Sequence, residues 1–266
     1  MQHLFQAWES FSSAIHEAAH LLLLSDYDGT LTPIVGHPDD ARLAPEVMEK
    51  LSALAESPAF SVGIISGRSL RELRDMVGIA GIYYAGNHGF EIEGPGLNYV
   101  NTAAEAARGV LKDLARQLAT GLEGIDGVVI QDKGLSLSVH YRLVKETEEK
   151  RTGEIFLRIT SPLLHEGKIR TTAGKKVWEV RPPIDWHKGK AVGVISDEIR
   201  ALLKLEQVLT IYLGDDTTDE DAFRVLHLPE GWGIFVGPEN PASGAAYFLD
   251  STAEVAEMLS RLLELK

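Results

Sequence analysis

At 266 residues, 44% hydrophobic and 24% charged, the chain has the length and apolar content of a soluble globular protein of one large domain or two modest ones. A formal net charge of −13, with no run of Lys and Arg to build a basic stripe, argues against nucleic acid or anionic membrane as partner while leaving an anionic small molecule open. The absence of cysteine excludes disulfides, thiolate catalysis and Cys-ligated zinc.

No apolar run approaches a membrane span. Glu9 and Glu17 sit where a targeting signal avoids acid, so a cytoplasmic, monomeric protein is the expectation. Within residues 1–20, Leu4, Phe5, Trp8, Phe11 and Ile15 recur at helical spacing and predict an amphipathic helix. "HLLLLSDYD" follows as a buried strand. A helix is predicted over residues 44–56, with Pro45 in its first turn and Val47, Leu51, Leu54 and Ala55 on one face. "FSVGIISGR" is a second buried strand. It runs into a helix with a Ser69/Glu72 capping box and a stop at Gly78. "GIYYAGNHGFEI" reads as a third strand, and this alternation marks a parallel α/β sheet.

From Thr102 the rhythm changes. A helix over Ala103–Ala119, short strands around Lys133–Gly134, a charged helix over Lys145–Ile159 and a hairpin around Gly174 describe an α+β layer with an antiparallel sheet. After "RPPID" the α/β pattern resumes: helix Lys188–Lys204, strand "VLTIYLGDD", helix Asp219–Leu226, strand "GWGIFVG", and a helix Thr252–Leu263 entered through a Ser251/Glu254 capping box. The fold class expected is a doubly wound, Rossmann-like parallel-sheet core (1–101 and 185–266) with an inserted α+β cap (102–184).

Ligands of open parallel sheets bind beyond the carboxyl ends of the strands. Four such ends carry polar groups: Asp26 with Asp28, Ser66-Gly67-Arg68, Asn87-His88-Gly89, and Asp215 with Asp216 and Asp219. For any one of them, an ordinary polar loop or helix cap is the simpler reading; four at one sheet edge are harder to dismiss. Two carboxylates at a strand end repel unless a cation or a shared proton compensates. An acidic cluster without Cys or His spacing suits a hard cation with oxygen ligands, Mg²⁺ best. One carboxylate is then available to attack phosphorus and the other to protonate the leaving oxygen. Gly29 leaves room for a phosphate near the backbone, and Thr30 can donate to it. Lys188 stands at a helix start, where the macrodipole disfavours a cation, so it breaks a local rule without visible compensation. "IDWHKGKA" is no P-loop: Ile184 stands where its first glycine is needed and Ala191 where its hydroxyl is.

With "DYDGTLT", Ser66 of "IISGR", Lys188 of "HKGKA" and "GDDTTDEDAF" in order, the chain resembles the haloacid dehalogenase superfamily of phosphatases. The resemblance implies Asp26 as nucleophile and Asp28 as general acid/base that also holds Mg²⁺ through its carbonyl. It implies Asp215 as the third metal ligand, with Asp216 a further candidate, and Ser66 and Lys188 on the phosphoryl oxygens. The finer phrases "SDYDGTLTPIV", "AGNHGFEI", "LSVHYR" and "KKVWEVRPP" are similar to the trehalose-6-phosphate phosphatase family. That similarity implies a cap closing over a disaccharide phosphate. The substrate-binding candidates are then Thr30, Arg68, Asn87, His88, Lys133, His140, Arg142, Lys176 and Glu179, with Trp178 beside Glu179 as an apolar ring. Strand alternation puts His140 and Arg142 on one face and opposes Lys176 to Glu179, and His88 reads equally as a packed structural histidine. The rivals are a phosphatase of mannosyl-3-phosphoglycerate or sucrose phosphate, a phosphomutase, and a non-catalytic sugar-phosphate sensor.

Overall fold

Four consecutive leucines, Leu21 to Leu24, are at most 1% exposed. Leu21 and Leu23 join one apolar cluster and Leu22 and Leu24 another, so the strand they form is covered on both faces. The computed structural model describes residues 1–265. The chain separates into two units, one of Met1–Tyr99 with the segment from Trp186 onward, the other of Val100–Asp185.

In chain order the first unit begins with β1 (Gln2–His3), α1 (Trp8–Glu17), β2 (Leu21–Ser25), α2 (Pro45–Glu56), β3 (Phe60–Ile65), α3 (Leu70–Val77), β4 (Tyr83–Gly86), β5 (Glu91–Gly94) and β6 (Leu97–Val100). The inserted unit holds α4 (Thr102–Gly121), β7 (Val129–Asp132), β8 (Leu137–His140), α5 (Glu146–His165), β9 (Arg170–Gly174) and β10 (Val177–Arg181). The first unit then resumes with α6 (Lys188–Leu203), β11 (Leu209–Gly214), α7 (Glu220–Phe223), β12 (Gly231–Val236), β13 (Tyr247–Leu249) and α8 (Thr252–Leu265).

The first unit's sheet runs β1-β13-β12-β11-β2-β3-β4-β5-β6, parallel from β1 to β4 and antiparallel at β4–β5. Residues of α1, α2, α3 and α8 pack in the cluster of Leu21 and Leu23, and residues of α6 and α7 in that of Leu22 and Leu24. This is the doubly wound layering expected.

Local differences have local causes. The expected third strand breaks at Asn87–Gly89. Asn87 and His88 adopt φ of 52° and 57°, reversing the chain so that β5 returns antiparallel to β4. The expected N-terminal helix starts only at Trp8, because Gln2–His3 pairs with β13 and buries Leu4 at the sheet edge. Ser69 caps α3 by accepting the Glu72 N–H at 3.2 Å, and Gly78 ends it in the left-handed conformation. The second expected capping box closes differently: Glu254 accepts from the Asp250 N–H at 2.8 Å. The expected Asp219–Leu226 helix is a single turn, and α5 runs past Ile159 through Pro162 to His165.

In the inserted unit the sheet order is β7-β8-β10-β9, all antiparallel. Leu137, Val139 and Val180 point to one face and join residues of α4 and α5 in a separate apolar cluster. Trp178 stacks there between Tyr141 and Phe156, with ring centroids at 4.0 and 4.7 Å.

Candidate active site

Because β2, β3, β4 and β11 are parallel neighbours, the residues that follow their last positions gather at one edge. Ser25 pairs with Leu213 and with Ile64, and the Asp26 N–H donates to the Leu213 carbonyl at 2.8 Å. Asp26, Ser66, Asn87 and Asp215 are therefore brought together by the register of the sheet. Lys188 reaches the same edge from the first residue of α6. It is 2% exposed, and its Nζ donates at 2.7 Å to Oδ1 of Asp26 and at 2.7 Å to Oδ1 of Asp219. The compensation for a cation at a helix N-terminus is thus a pair of buried carboxylates.

Asp219 is fully buried, and its two oxygens accept four hydrogen bonds. Oδ1 takes Lys188 Nζ and the Tyr212 hydroxyl (2.6 Å), while Oδ2 takes the N–H groups of Asp215 and Asp216 at 3.0 and 3.1 Å. Asp219 therefore ties the turn after β11 to the lysine. Tyr212 was not among the candidate residues. Its signal is a lone phenol in an apolar strand two residues before Gly214, where an added Cβ would lie 2.2 Å from Asp219 Cγ.

Four carboxylates, Asp26, Asp215, Asp216 and Asp219, act on one another around the buried Lys188. Burial opposes the charge of Lys188, but Asp219 and Asp26 outweigh it and hold the ammonium well above its ordinary value. Burial also raises Asp26 well above the usual carboxylate range; Lys188 pulls the other way, and Asp219, Asp215 and Asp216 add to the rise. Asp215 is pushed up to about 7 by burial and by Asp219 and Asp216. One ammonium thus faces four acids, and the site is short of positive charge. Carboxylate oxygens of Asp26, Asp215 and Asp219 lie within 4.8 Å of one another, and the donor set is all oxygen, which fits a hard divalent cation. With Asp219 already accepting four hydrogen bonds, Asp26 and Asp215 are the carboxylates left to hold one. Asp216, the further candidate ligand, has its Oδ1 accepting the N–H and the hydroxyl of Thr218, each at 2.7 Å, and lies outside the cluster.

The loop after β2 is fitted to Asp215. Gly29 has φ +91°, and a Cβ there would lie 2.2 Å from Asp215 Oδ2. Gly29→Ala is therefore expected to combine backbone strain with displacement of that carboxylate, costing about 1–3 kcal/mol of unfolding free energy, read by denaturant titration, and at least about 100-fold in turnover. Unchanged turnover would show that the loop and Asp215 need not meet. Thr30, a substrate-binding candidate, is fully buried and donates to Asp215 Oδ1 at 3.3 Å, so in this structure it supports a candidate metal ligand.

Arg68, a substrate-binding candidate, is engaged within the protein. It is 6% exposed, with Nε and NH2 on the two oxygens of Asp28 at 2.8 and 2.7 Å, NH1 on Glu72 and NH2 on the Pro38 carbonyl. Ser66 is 1% exposed and its Oγ accepts the Arg68 N–H at 3.2 Å. Asn87 and His88 lace β4 to that loop through their N–H groups, donating to the carbonyls of Arg68 (2.7 Å) and Ser66 (2.8 Å). The Asn87 amide, fully buried, donates to Glu91 at 2.9 Å, and the His88 ring covers Gly67, whose added Cβ would meet it at 2.8 Å. Both candidates shape the loop in this structure.

In the inserted unit, Glu179 pairs in register with Ser138 and Thr172 on the sheet face opposite Val180 and Trp178. Trp178 thus faces the helices and does not flank the Glu179 carboxylate as expected, since adjacent strand residues alternate. Glu179 accepts from Arg181 Nε at 2.8 Å, and Lys133 Nζ stands 3.8 Å from it. His140 Nε2 lies 2.9 Å from Gln131 Oε1. Arg181 was not foreseen, although it lies two residues from Glu179 on the same strand face. Arg142 and Lys176 fall outside the strands, so the expected alternation does not reach them. Arg142 donates to the Lys175 carbonyl at 3.4 Å, while Lys176 sits in the β9–β10 turn with φ 64° and its Nζ on Glu149.

The doubly wound sheet with its α+β insertion is a haloacid dehalogenase-like fold. A haloacid dehalogenase-like hydrolase from Bacteroides thetaiotaomicron superposes with a TM-score of 0.63 at 18% identity, over 91% of this chain and 99% of the other. Within that class the chain belongs to the trehalose-phosphatase family, whose model matches residues 24–252. It is 37% identical over 258 residues to probable trehalose-phosphate phosphatase D of Arabidopsis thaliana, spanning 92% of this chain and 68% of the plant protein. The C-terminal domain of C. albicans trehalose-6-phosphate phosphatase superposes with a TM-score of 0.78 at 25% identity, over 97% of each chain.

Proposed function

We propose that the protein hydrolyses trehalose 6-phosphate to trehalose and phosphate in two steps. The observation that carries the reading is a buried carboxylate at the end of the central strand, Asp26, held by Lys188 at 2.7 Å beside Asp215 in a trehalose-phosphatase chain. Asp26 attacks phosphorus and the ester bond to the sugar breaks, leaving an aspartyl-phosphate that water then hydrolyses. Asp28 gives a proton to the departing sugar oxygen and takes one from the attacking water. Lys188 and Ser66 neutralise and orient the phosphoryl oxygens.

Asp26, Asp215 and the Asp28 carbonyl would hold Mg²⁺, which when bound supplies charge neutralisation to the acidic cluster and to the phosphoryl group. The candidate sugar contacts are Glu179, Lys133, His140 and Arg181 on the polar face of the inserted sheet. The test is phosphate release from trehalose 6-phosphate, sucrose 6-phosphate and mannosyl-3-phosphoglycerate, with Mg²⁺ and with chelator. Release from trehalose 6-phosphate at least about tenfold faster than from the others, lost on chelation, is expected. Equal rates on all three would remove the disaccharide assignment.

A further inference from the structure

The proton-transferring carboxylate has an unusual neighbour. Asp28 is not left to rotate: Arg68 grips it by a two-point fork, Nε on Oδ2 and NH2 on Oδ1. The fork occupies one edge of the carboxylate. The Asp28 side chain is still 40% exposed, whereas that of Arg68 is 7% exposed, so its other edge is open. Arg68 is itself immobilised. NH1 is on Glu72 at the capped start of α3, NH2 also reaches the Pro38 carbonyl, and the guanidinium lies 5.5 Å from the centre of the Tyr27 ring. Its own N–H is on Ser66 Oγ and its carbonyl takes the Asn87 N–H. Four of the five guanidinium N–H groups are thereby used within the protein, which leaves Arg68 poorly placed to be a phosphate ligand.

We propose that Arg68 is the positioning residue for Asp28. It fixes the plane and direction of that carboxylate so that its open edge delivers the proton to the sugar oxygen as the phosphorus–oxygen bond breaks. The inference rests on the reading of Asp28 as proton donor. A lysine in its place keeps a positive charge but has no planar fork, so it leaves the carboxylate free to turn. Displacement of a reacting group by about an ångström costs on the order of 100-fold.

A leaving-group comparison separates positioning from general structural damage. The sugar alkoxide needs a proton to depart and nitrophenolate does not. The quantity to compare is kcat/KM, which closes at the first phosphoryl transfer, for trehalose 6-phosphate and for p-nitrophenyl phosphate. Both are read on the same preparations of wild type, Asp28→Asn, Arg68→Lys and Arg68→Gln. Their ratio does not depend on the fraction of enzyme folded, so a poorly folding variant still reports. Expected is a loss of at least about 20-fold on the sugar ester and at most about 3-fold on the nitrophenyl ester for both Arg68 variants, matching the pattern of Asp28→Asn. Equal losses on the two esters in the Arg68 variants, with Asp28→Asn selective, would overturn the inference and leave the proposed function standing. A non-selective Asp28→Asn would overturn the role of Asp28 and the inference with it. A wild-type chain that released no phosphate from trehalose 6-phosphate would sink both.

Discussion

Asp26→Asn is expected to abolish phosphate release, with a fall of roughly 10⁴-fold or more, while the folded chain is kept. The activity loss follows from chemistry, since an amide oxygen is a poor nucleophile toward phosphorus and covalent nucleophiles are among the costliest residues to remove. Retention of the fold follows from geometry. Asparagine is close in shape, and with its oxygen toward Lys188 it keeps the acceptor that now sits 2.7 Å from Nζ. The substitution also removes one negative charge from a group of four acids, of which Asp26 and Asp219 are buried and Asp215 half-buried. Burial is the largest influence raising the Asp26 carboxyl, and repulsion from Asp219, Asp215 and Asp216 adds to it. In chelator at neutral pH the variant is therefore expected to melt no lower than wild type. Turnover within tenfold of wild type in a preparation free of contaminating phosphatase would remove Asp26 as nucleophile. A collapsed melting transition would show instead that its charge is structural.

Much of this site is legible in the residues because it is placed by backbone topology. An apolar run such as Leu21–Leu24 makes a strand buried on both faces, and parallel strands deliver whatever follows them to one edge. Asp26, Ser66 and Asp215 needed no more than that. Lys188 announced itself by violating the dipole preference at a helix start, and the structure supplies the reason in two carboxylates. What the pattern did not disclose is how side chains divide their donors. Nothing in "SGR" says that the Arg68 guanidinium turns back onto Asp28 and Glu72, or that Thr30 turns to Asp215. Parity arguments also failed wherever a strand ended early. Arg142 and Lys176 lie beyond the last paired residues, and Asn87 and His88 take a left-handed bend inside what reads as one continuous strand. Tyr212 stayed hidden because its partner, Asp219, is seven residues away across a turn that the sequence does not draw.

Lys188→Met should have the largest effect on stability of any single substitution at the sheet edge. Methionine matches the length of the stem, so packing is nearly kept and the change isolates the charge. Without the ammonium, Asp26 and Asp219 become buried carboxylates with no cation, and breaking a buried pair in this way costs about 3–5 kcal/mol. The metal-free protein should show this as a lower denaturant midpoint, with turnover lost as well. Protons replace the missing cation on Asp26 and Asp219, whose carboxyls burial already raises, so the deficit is greatest at high pH and shrinks as the pH falls and the acids neutralise. Asp219 decides how the energy is shared. Asp219→Asn alone weakens four hydrogen bonds. In the Lys188→Met background the same change also removes a stranded charge, so the double variant should be more stable than the sum of the single losses by about 2 kcal/mol. Strict additivity in that cycle would mean that lysine and aspartate are independent, and that Lys188 owes its burial to Asp26 alone.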